Sequence, residues 1–260
     1  MLLLFTSHNI ASAVIAGKLI SEHGFAGVGE NEWKKGDARL IDTKAPTVLE
    51  VPTDFDTDCI LVLSTHRSKT PGKMLTAHVP GNWGSADMGG KPRTLNIAAA
   101  GKLKILLQEL AAEAKRIGWP VSLEVDHHGP TCGVPILFVE IGNGETEWKD
   151  EKAAGAVANA VARMLERDSK HETFETVFGV GGGHYSKTFT KVMLESDYAV
   201  GHIVPKYAIE ALDGEMFKQA IEKNVEKVSK VLISRDETNA PQREKIEKMA
   251  AEIGLPCERI

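Results

Sequence analysis

The sequence predicts an α/β fold, a mixed or mostly parallel sheet flanked by helices, in a single domain spanning residues 1–260. Three observations carry this reading. Apolar runs of strand length alternate with longer segments of helical periodicity, the pattern of a sheet covered on both faces. The run Cys59–Ser64 is almost continuously apolar, as a strand buried on both sides would be. The 260 residues, 42% of them hydrophobic, suffice for one core and lie near the upper limit for one.

Taken in order, Leu2–Thr6 reads as a strand, and Met1–Ser7 lacks the basic residues of a signal peptide. Ile10–Ser21 reads as a helix, and Ala38–Asp42 and Thr47–Val51 as short strands. From Thr65 to Arg93 the chain is rich in Gly, Pro, His and polar residues, and only Met74–Val79 is strand-like. So long an irregular stretch, residues 65–93, is expected to be a functional loop. Leu95, Ala99, Leu103, Leu106, Leu107, Leu110, Ala114 and Ile117 keep helical spacing; Thr94 is placed to cap the start, and Gly118 with Pro120 ends the helix. Strands follow at Val121–Val125 and Pro135–Ile141, then a helix over about residues 147–166 with Ala153, Val157, Val161 and Leu165 on one face. Thr173–Val180, Tyr198–Val204 and Lys227–Ser234 are the last strands, before a helix that buries Ile246, Met249, Ala250 and Ile253.

No run of eighteen or more apolar residues occurs, which excludes a membrane-spanning helix. Cys59, Cys132 and Cys257 are far apart and form no CxxC pair, so a reducing, cytoplasmic setting is expected rather than a disulfide framework. The net charge of -5 counts against a nucleic-acid partner unless a local basic patch overrides it.

The chemistry concentrates in four places. In Glu124–Thr131, two histidines and an aspartate follow a strand and precede a Gly-Pro turn. Continued strand alternation would send Asp126 and His128 one way and His127 the other. One imidazole would then face a pocket while a carboxylate orients its neighbour; the bland alternative is a polar turn. In Phe178–Tyr185, Gly181, Gly182 and Gly183 precede His184, and their amides suit an anion nest or a tight turn, without the spacing of a dinucleotide fingerprint. Within the long loop, Arg67, Lys69, Lys73, Lys91 and Arg93 suit phosphates or a solvated face, and Trp83 suits stacking on a base or a core contact. In Gly201–Tyr207, His202 reads as a satisfied core histidine. Glu140, apolar on both sides, should be paired or have a raised proton affinity. Neither HxxxH nor GxSxG occurs, yet histidines at several strand ends, with Asp126 and Glu140, are able to assemble a zinc site from distant segments. Cys132 reads as a small buried hydrophobe rather than a nucleophile.

Asp126–Thr131 (DHHGPT), Gly181–Tyr185 (GGGHY), Leu75–Trp83 (LTAHVPGNW) and Gly201–Tyr207 (GHIVPKY) together resemble the archaeal-type D-aminoacyl-tRNA deacylase family, also found in plants. The four motifs occur in family order. After GGGHY the chain continues Ser186-Lys187-Thr188, without the proline of the family pattern. The resemblance implies a phosphorylase- or peptidyl-tRNA hydrolase-like fold, zinc as cofactor, and an ester hydrolase that releases free D-amino acid and tRNA from D-aminoacyl-tRNA. On that basis His127 or His128 is expected as base or zinc ligand, with Asp126 setting a tautomer. His184 and the Gly181–Gly183 amides would address the carbonyl or terminal phosphate. His66, His128 and His184 are the expected metal ligands, and Glu140 a further acid or base. Arg67, Lys69, Trp83, Tyr185 and Lys206 are expected on the tRNA side, in a monomer or small homo-oligomer. The rival readings are a zinc-dependent peptidase or amidohydrolase on a related fold, and a non-catalytic tRNA-binding module.

Overall fold

The computed structural model describes residues 1–52, 56–68 and 72–260. The chain runs β1 (Leu2–Phe5), α1 (Ile10–Glu22), β2 (Ala26–Gly29), β3 (Glu32–Lys35), β4 (Ala38–Asp42), β5 (Ile60–Thr65), β6 (Met74–His78), β7 (Gly81–Asn82) and β8 (Thr94–Leu95). It continues α2 (Ala100–Ile117), β9 (Val121–Leu123), β10 (Ile136–Gly142), α3 (Glu145–Trp148), α4 (Glu151–Asp168), β11 (Glu175–Val180) and α5 (Lys187–Glu195). It ends with β12 (Tyr198–Val204), a short 3-10 turn, α6 (Gly214–Glu222), β13 (Lys230–Ile233), α7 (Ala240–Glu252) and β14 (Cys257–Arg259).

The larger sheet has the order β2-β3-β4-β1-β5-β10-β6-β9. Strands β4, β1, β5 and β10 are parallel; β6 is antiparallel to β10 and parallel to β9. A smaller, all-parallel sheet has the order β12-β11-β13-β14. This is the predicted α/β architecture with a mixed sheet. One hydrophobic cluster holds residues of both sheets, from Leu3 and Leu61 to Val200 and Leu232.

Side chains alternate across a strand, so each sheet face collects every second residue. On one face of the larger sheet Leu3, Leu61, Leu63, Leu75, Ala77, Leu137 and Val139 meet α1, α2 and α4. Leu103, Leu106, Leu107 and Leu110 of α2 are buried there, each contributing about 1.5–3 kcal/mol of burial. On the opposite face Leu4, Val62 and Phe138 form a smaller apolar floor with Ile41, Val51 and Cys132. The functional residues stand beyond that floor, on the same face.

Several local expectations are corrected. Thr47–Val51 forms a turn, and the β2–β3 hairpin ahead of it is too polar and exposed to show a strand pattern. Residues 65–93 are not one irregular loop, because β6 is an interior strand of the sheet. Helix α2 begins at Ala100, with Thr94 in β8; its first amides, Ala100 N and Gly101 N, donate to the Glu226 carboxylate at 3.1 Å. A distant residue does the work of the expected cap, which local spacing does not reveal. Helices α5 and α6 were not anticipated, and Ile253 lies beyond α7 and is 56% exposed.

Lys104 is almost wholly buried within α2, and its ammonium donates to the carbonyls of Met193, Ser196 and Tyr198 at 2.7–2.9 Å. It satisfies the exit of α5 and ties it to the second sheet. Lys104→Met removes that donor from three carbonyls, and we expect a loss of about 3 kcal/mol or more. The check is the urea unfolding midpoint at unchanged m-value; a midpoint equal to that of the parent protein sinks the assignment.

Candidate active site

Strand register assembles the site. Glu140 on β10 pairs with Ser64 of β5 on one side and Thr76 of β6 on the other. His66 lies two residues beyond Ser64 and His78 two beyond Thr76, so period-two alternation puts all of them on one face. The β6–β9 ladder runs to Ala77–Leu123, and one step further His78 meets Glu124. The chain past β9 is clamped on both sides: Glu124 N donates to Ala77 O at 3.1 Å and Val125 N to His184 O at 3.1 Å. Ser186 N donates to Leu123 O at 2.9 Å, so the GGGHY segment is laid along Glu124. At His128 the backbone turns into the left-handed region, with φ 48°. That breaks the alternation expected after β9, and His127 and His128 therefore face the same cluster.

Glu124 stands at the centre. Its Oε1 is 3.0 Å from His66 Nδ1, and its Oε2 is 3.3 Å from His78 Nδ1, 3.5 Å from His127 Nε2 and 3.7 Å from His184 Nε2. His66 Nδ1 is also 3.3 Å from Glu140 Oε2, and the Nε2 atoms of His78 and His128 are 3.2 Å apart. Glu124 and Glu140 are each 2% exposed, whereas the side chain of His184 is 40% exposed and forms the mouth. Despite this crowding, both Glu124 oxygens, His78 Nδ1 and His66 Nε2 are buried without a hydrogen-bond partner among the described residues. Buried carboxylate oxygens and imidazole nitrogens so close together, with few donors among them, suit a divalent cation.

The protonation pattern agrees. A carbonyl can only accept, so the His127 Nδ1 contact with Val125 O at 2.8 Å puts the proton on Nδ1, and the His128 contact with Gly129 O does the same. Both rings then offer an Nε2 lone pair, oriented by a backbone carbonyl in the manner of metal-ligating histidines. Burial, reinforced by neighbouring imidazoles, pushes His78 and His127 well below the usual histidine range, and brings His184 down to about 4. Burial also lowers His128. Glu124 is pushed well above the usual carboxylate range by burial and by Glu140. Among the described residues, three groups have ligand atoms within 4.8 Å of one another: His78-His127-His128, His66-Glu124-His184 and His78-Glu124-Glu140.

The other expected residues are dispersed. Asp126 does not orient His127 or His128; its carboxylate bonds His202 Nδ1 at 2.5 Å and Ile203 N at 2.6 Å, because the backbone past β9 turns it toward β12. Trp83 is a core residue, 9% exposed, with its Nε1 donating to Ile203 O at 3.2 Å and its ring against Phe178. Gly181 N is spent on Val204 O, and Gly182 O accepts from Lys206 N, so the three glycines form a turn more than an open nest. Gly183 and Lys206 line a separate pocket. Tyr185 donates to Asn143 Oδ1 at 3.0 Å and walls the cluster beside His66 and His184. Arg67 is exposed, over the Trp148 ring; Lys69 lies outside the described residues. Two of the other expected cations are committed elsewhere: Arg93 pairs with Asp213 at 2.7 Å, and Lys73 sits over Trp119. His78 and Glu124, the hub of the cluster, had no assigned role in the sequence reading. Their signal was present as polar residues at the ends of two apolar strands, but only pairing of β6 with β9 joins them.

Comparison with known proteins converges on one family. The sequence model of the D-aminoacyl-tRNA deacylase family matches residues 53–258. A D-aminoacyl-tRNA deacylase of Thermococcus kodakarensis is 34% identical, with 96% of each chain covered. One of Pyrococcus furiosus is 33% identical, with 97% of each covered, and one of Korarchaeum cryptofilum is 37% identical over 78% of this chain and 73% of its own. A crystal structure of a conserved protein of unknown function superposes with a TM-score of 0.89 at 28% identity, covering 99% of this chain and 94% of that one. With most of its length matched by the family model and by relatives above 30% identity, the chain belongs to the D-aminoacyl-tRNA deacylase family.

Proposed function

We propose that this protein hydrolyses the ester that joins a D-amino acid to tRNA, at the cluster around Glu124, with zinc as its cofactor. The observation that carries the reading is the convergence of His66, His78, His127 and His184 on the buried Glu124 carboxylate, with His128 against His78 and Glu140 against His66, in a chain of this family. His78, His127 and His128 are the ligand set best prepared for the ion, since two of the three are oriented by carbonyls. When bound, zinc supplies Lewis acidity toward a carbonyl and toward water.

An aminoacyl ester is already activated, so modest acid–base help is enough. Glu124, which a divalent ion at the cluster would keep ionised, accepts the proton of the attacking water at Oε2. Water oxygen bonds to the carbonyl carbon, the bond from that carbon to the ribose oxygen breaks, and the proton is returned to the ribose oxygen. His184, at the mouth and neutral at pH 7, hydrogen-bonds the acyl-ribose end, and Tyr185 limits access of bulk water. Exposed Lys206, in the pocket that begins at Gly182 and Gly183, is a cation on the side of the terminal nucleotide. The three relatives compared above are named as deacylases, which does not favour the peptidase or the non-catalytic reading. Among the described residues no helix is long and apolar enough to cross a membrane.

Two experiments test this. Glu124→Gln should lower kcat/KM for D-tyrosyl-tRNA by about a hundredfold or more while the circular dichroism stays that of the parent, the effect ordinary for a lost proton acceptor; near-parental turnover overturns the role. Dialysis against a strong chelator should abolish release of D-tyrosine, and added zinc should restore it. Full activity of protein verified to be metal-free by elemental analysis rules zinc out.

A further inference from the structure

We infer that the cleft at the carboxyl ends of β1 and β5 receives the side chain of the aminoacyl group, and that its walls suit a large apolar or aromatic side chain; this rests on the deacylase reading. The cleft has a volume of about 530 Å³, and Ile10, Val48, Met88 and Trp148 are among the residues lining it. The Arg67 guanidinium lies 5.3 Å over the Trp148 ring and stiffens that wall. Ile10 is 36% exposed and Met88 62%, and they are two of the few large hydrophobic side chains left in solvent among the described residues. Apolar side chains exposed together around one concavity mark a ligand site better than scattered ones do.

The position decides the occupant. Ser64, Thr65 and Arg67 of the lining bracket His66 in the chain, and Trp148 Nε1 donates to the His66 carbonyl at 3.0 Å. On the other flank, Met88 O accepts from Gly129 N at 3.0 Å, next to His128. The cleft thus adjoins the backbone that carries His66 on one flank and His128 on the other. In the substrate, the amino-acid side chain branches one carbon away from the ester carbonyl. With that carbonyl at the cluster, the side chain must occupy adjoining ground. A second pocket of about 650 Å³ begins at Gly182 and Gly183, beside His184 on the side of the smaller sheet, and carries Lys206 and Tyr207. Its polar groups, Glu210, Asp236 and Glu237 among them, suit sugar hydroxyls and a base edge, whereas the first cleft sets Ile10, Val48, Met88 and Trp148 beside Asn9 and Arg67. The two recesses flank the cluster as the two halves of the substrate flank the ester.

The test narrows the cleft in the zinc-loaded, full-length protein with Met88→Trp and, separately, Ile10→Trp. Both side chains are solvent-accessible, so neither change overpacks the core, and thermal unfolding verifies each fold. With D-tyrosyl-tRNA, kcat/KM should fall by about tenfold or more, while with D-alanyl-tRNA it should stay within about twofold, the scale of discrimination a hydrophobic pocket gives. Equal losses on both substrates in folded variants overturn the inference and assign the cleft to the terminal nucleotide, which they share. No loss on either also overturns it. A parent protein that cleaves neither substrate fails earlier, at the deacylase reading, and removes the inference with it.

Discussion

Glu124 and Glu140 stand on one face of one sheet, each nearly sealed from water, and His66 reaches both. Two carboxylates so placed cannot both carry charge without a compensating cation, and their burial alone favours protonation. Five imidazoles surround them, and burial holds His78, His127, His128 and His184 below the usual histidine range, so these do not supply the positive charge at neutral pH. The arrangement is therefore costly as a folding device. A divalent ion at that point reverses the balance, since it favours ionised carboxylates and takes the neutral lone pairs of the rings.

Much of the surrounding structure serves to hold that cluster still. The β6–β10 and β6–β9 ladders bring His78, Glu140 and Glu124 together, and the left-handed turn at His128 returns a second imidazole to the same side. Asp126 acts at a distance from the chemistry. Its carboxylate grips His202 and the Ile203 amide, and His202 Nε2 contacts the Lys223 carbonyl at 2.8 Å, so a largely buried chain of polar contacts fastens the loop after β9 to the smaller sheet. A side chain adjacent in sequence to the candidate catalytic histidines thus secures the joint between the two sheets.

The surface charge sets a limit on how an RNA is held. The chain carries a net -5, and Arg93 and Lys73, two of the cations that a sequence reading groups with Arg67, are committed elsewhere. Long-range attraction to a polyanion is weak for such a surface. Recognition centred on the aminoacylated end, with recesses on either side of the ester, is compatible with that balance because few phosphates need to be met.

What the sequence by itself determined was the class of fold, most strands and helices, and the segments that bear the chemistry. Those follow from local patterns: the apolar run of β5, the helical spacing of α2 and α4, and polar residues clustered at DHHGPT and GGGHY. Alternation also placed Glu140 within an apolar strand, where a carboxylate is conspicuous. The tertiary structure alone decided which polar residues meet. His78 and Glu124 are 46 residues apart in number and become neighbours only through the ladder between β6 and β9, while Asp126, beside two site histidines, is drawn away to β12. Trp83, attractive as a stacking surface, was claimed by the core, and α2 took its cap from Glu226. Periodicity reports which face a side chain takes on its own strand; which strand lies alongside is settled by burial of apolar surface across the whole chain, and the site inherits that choice.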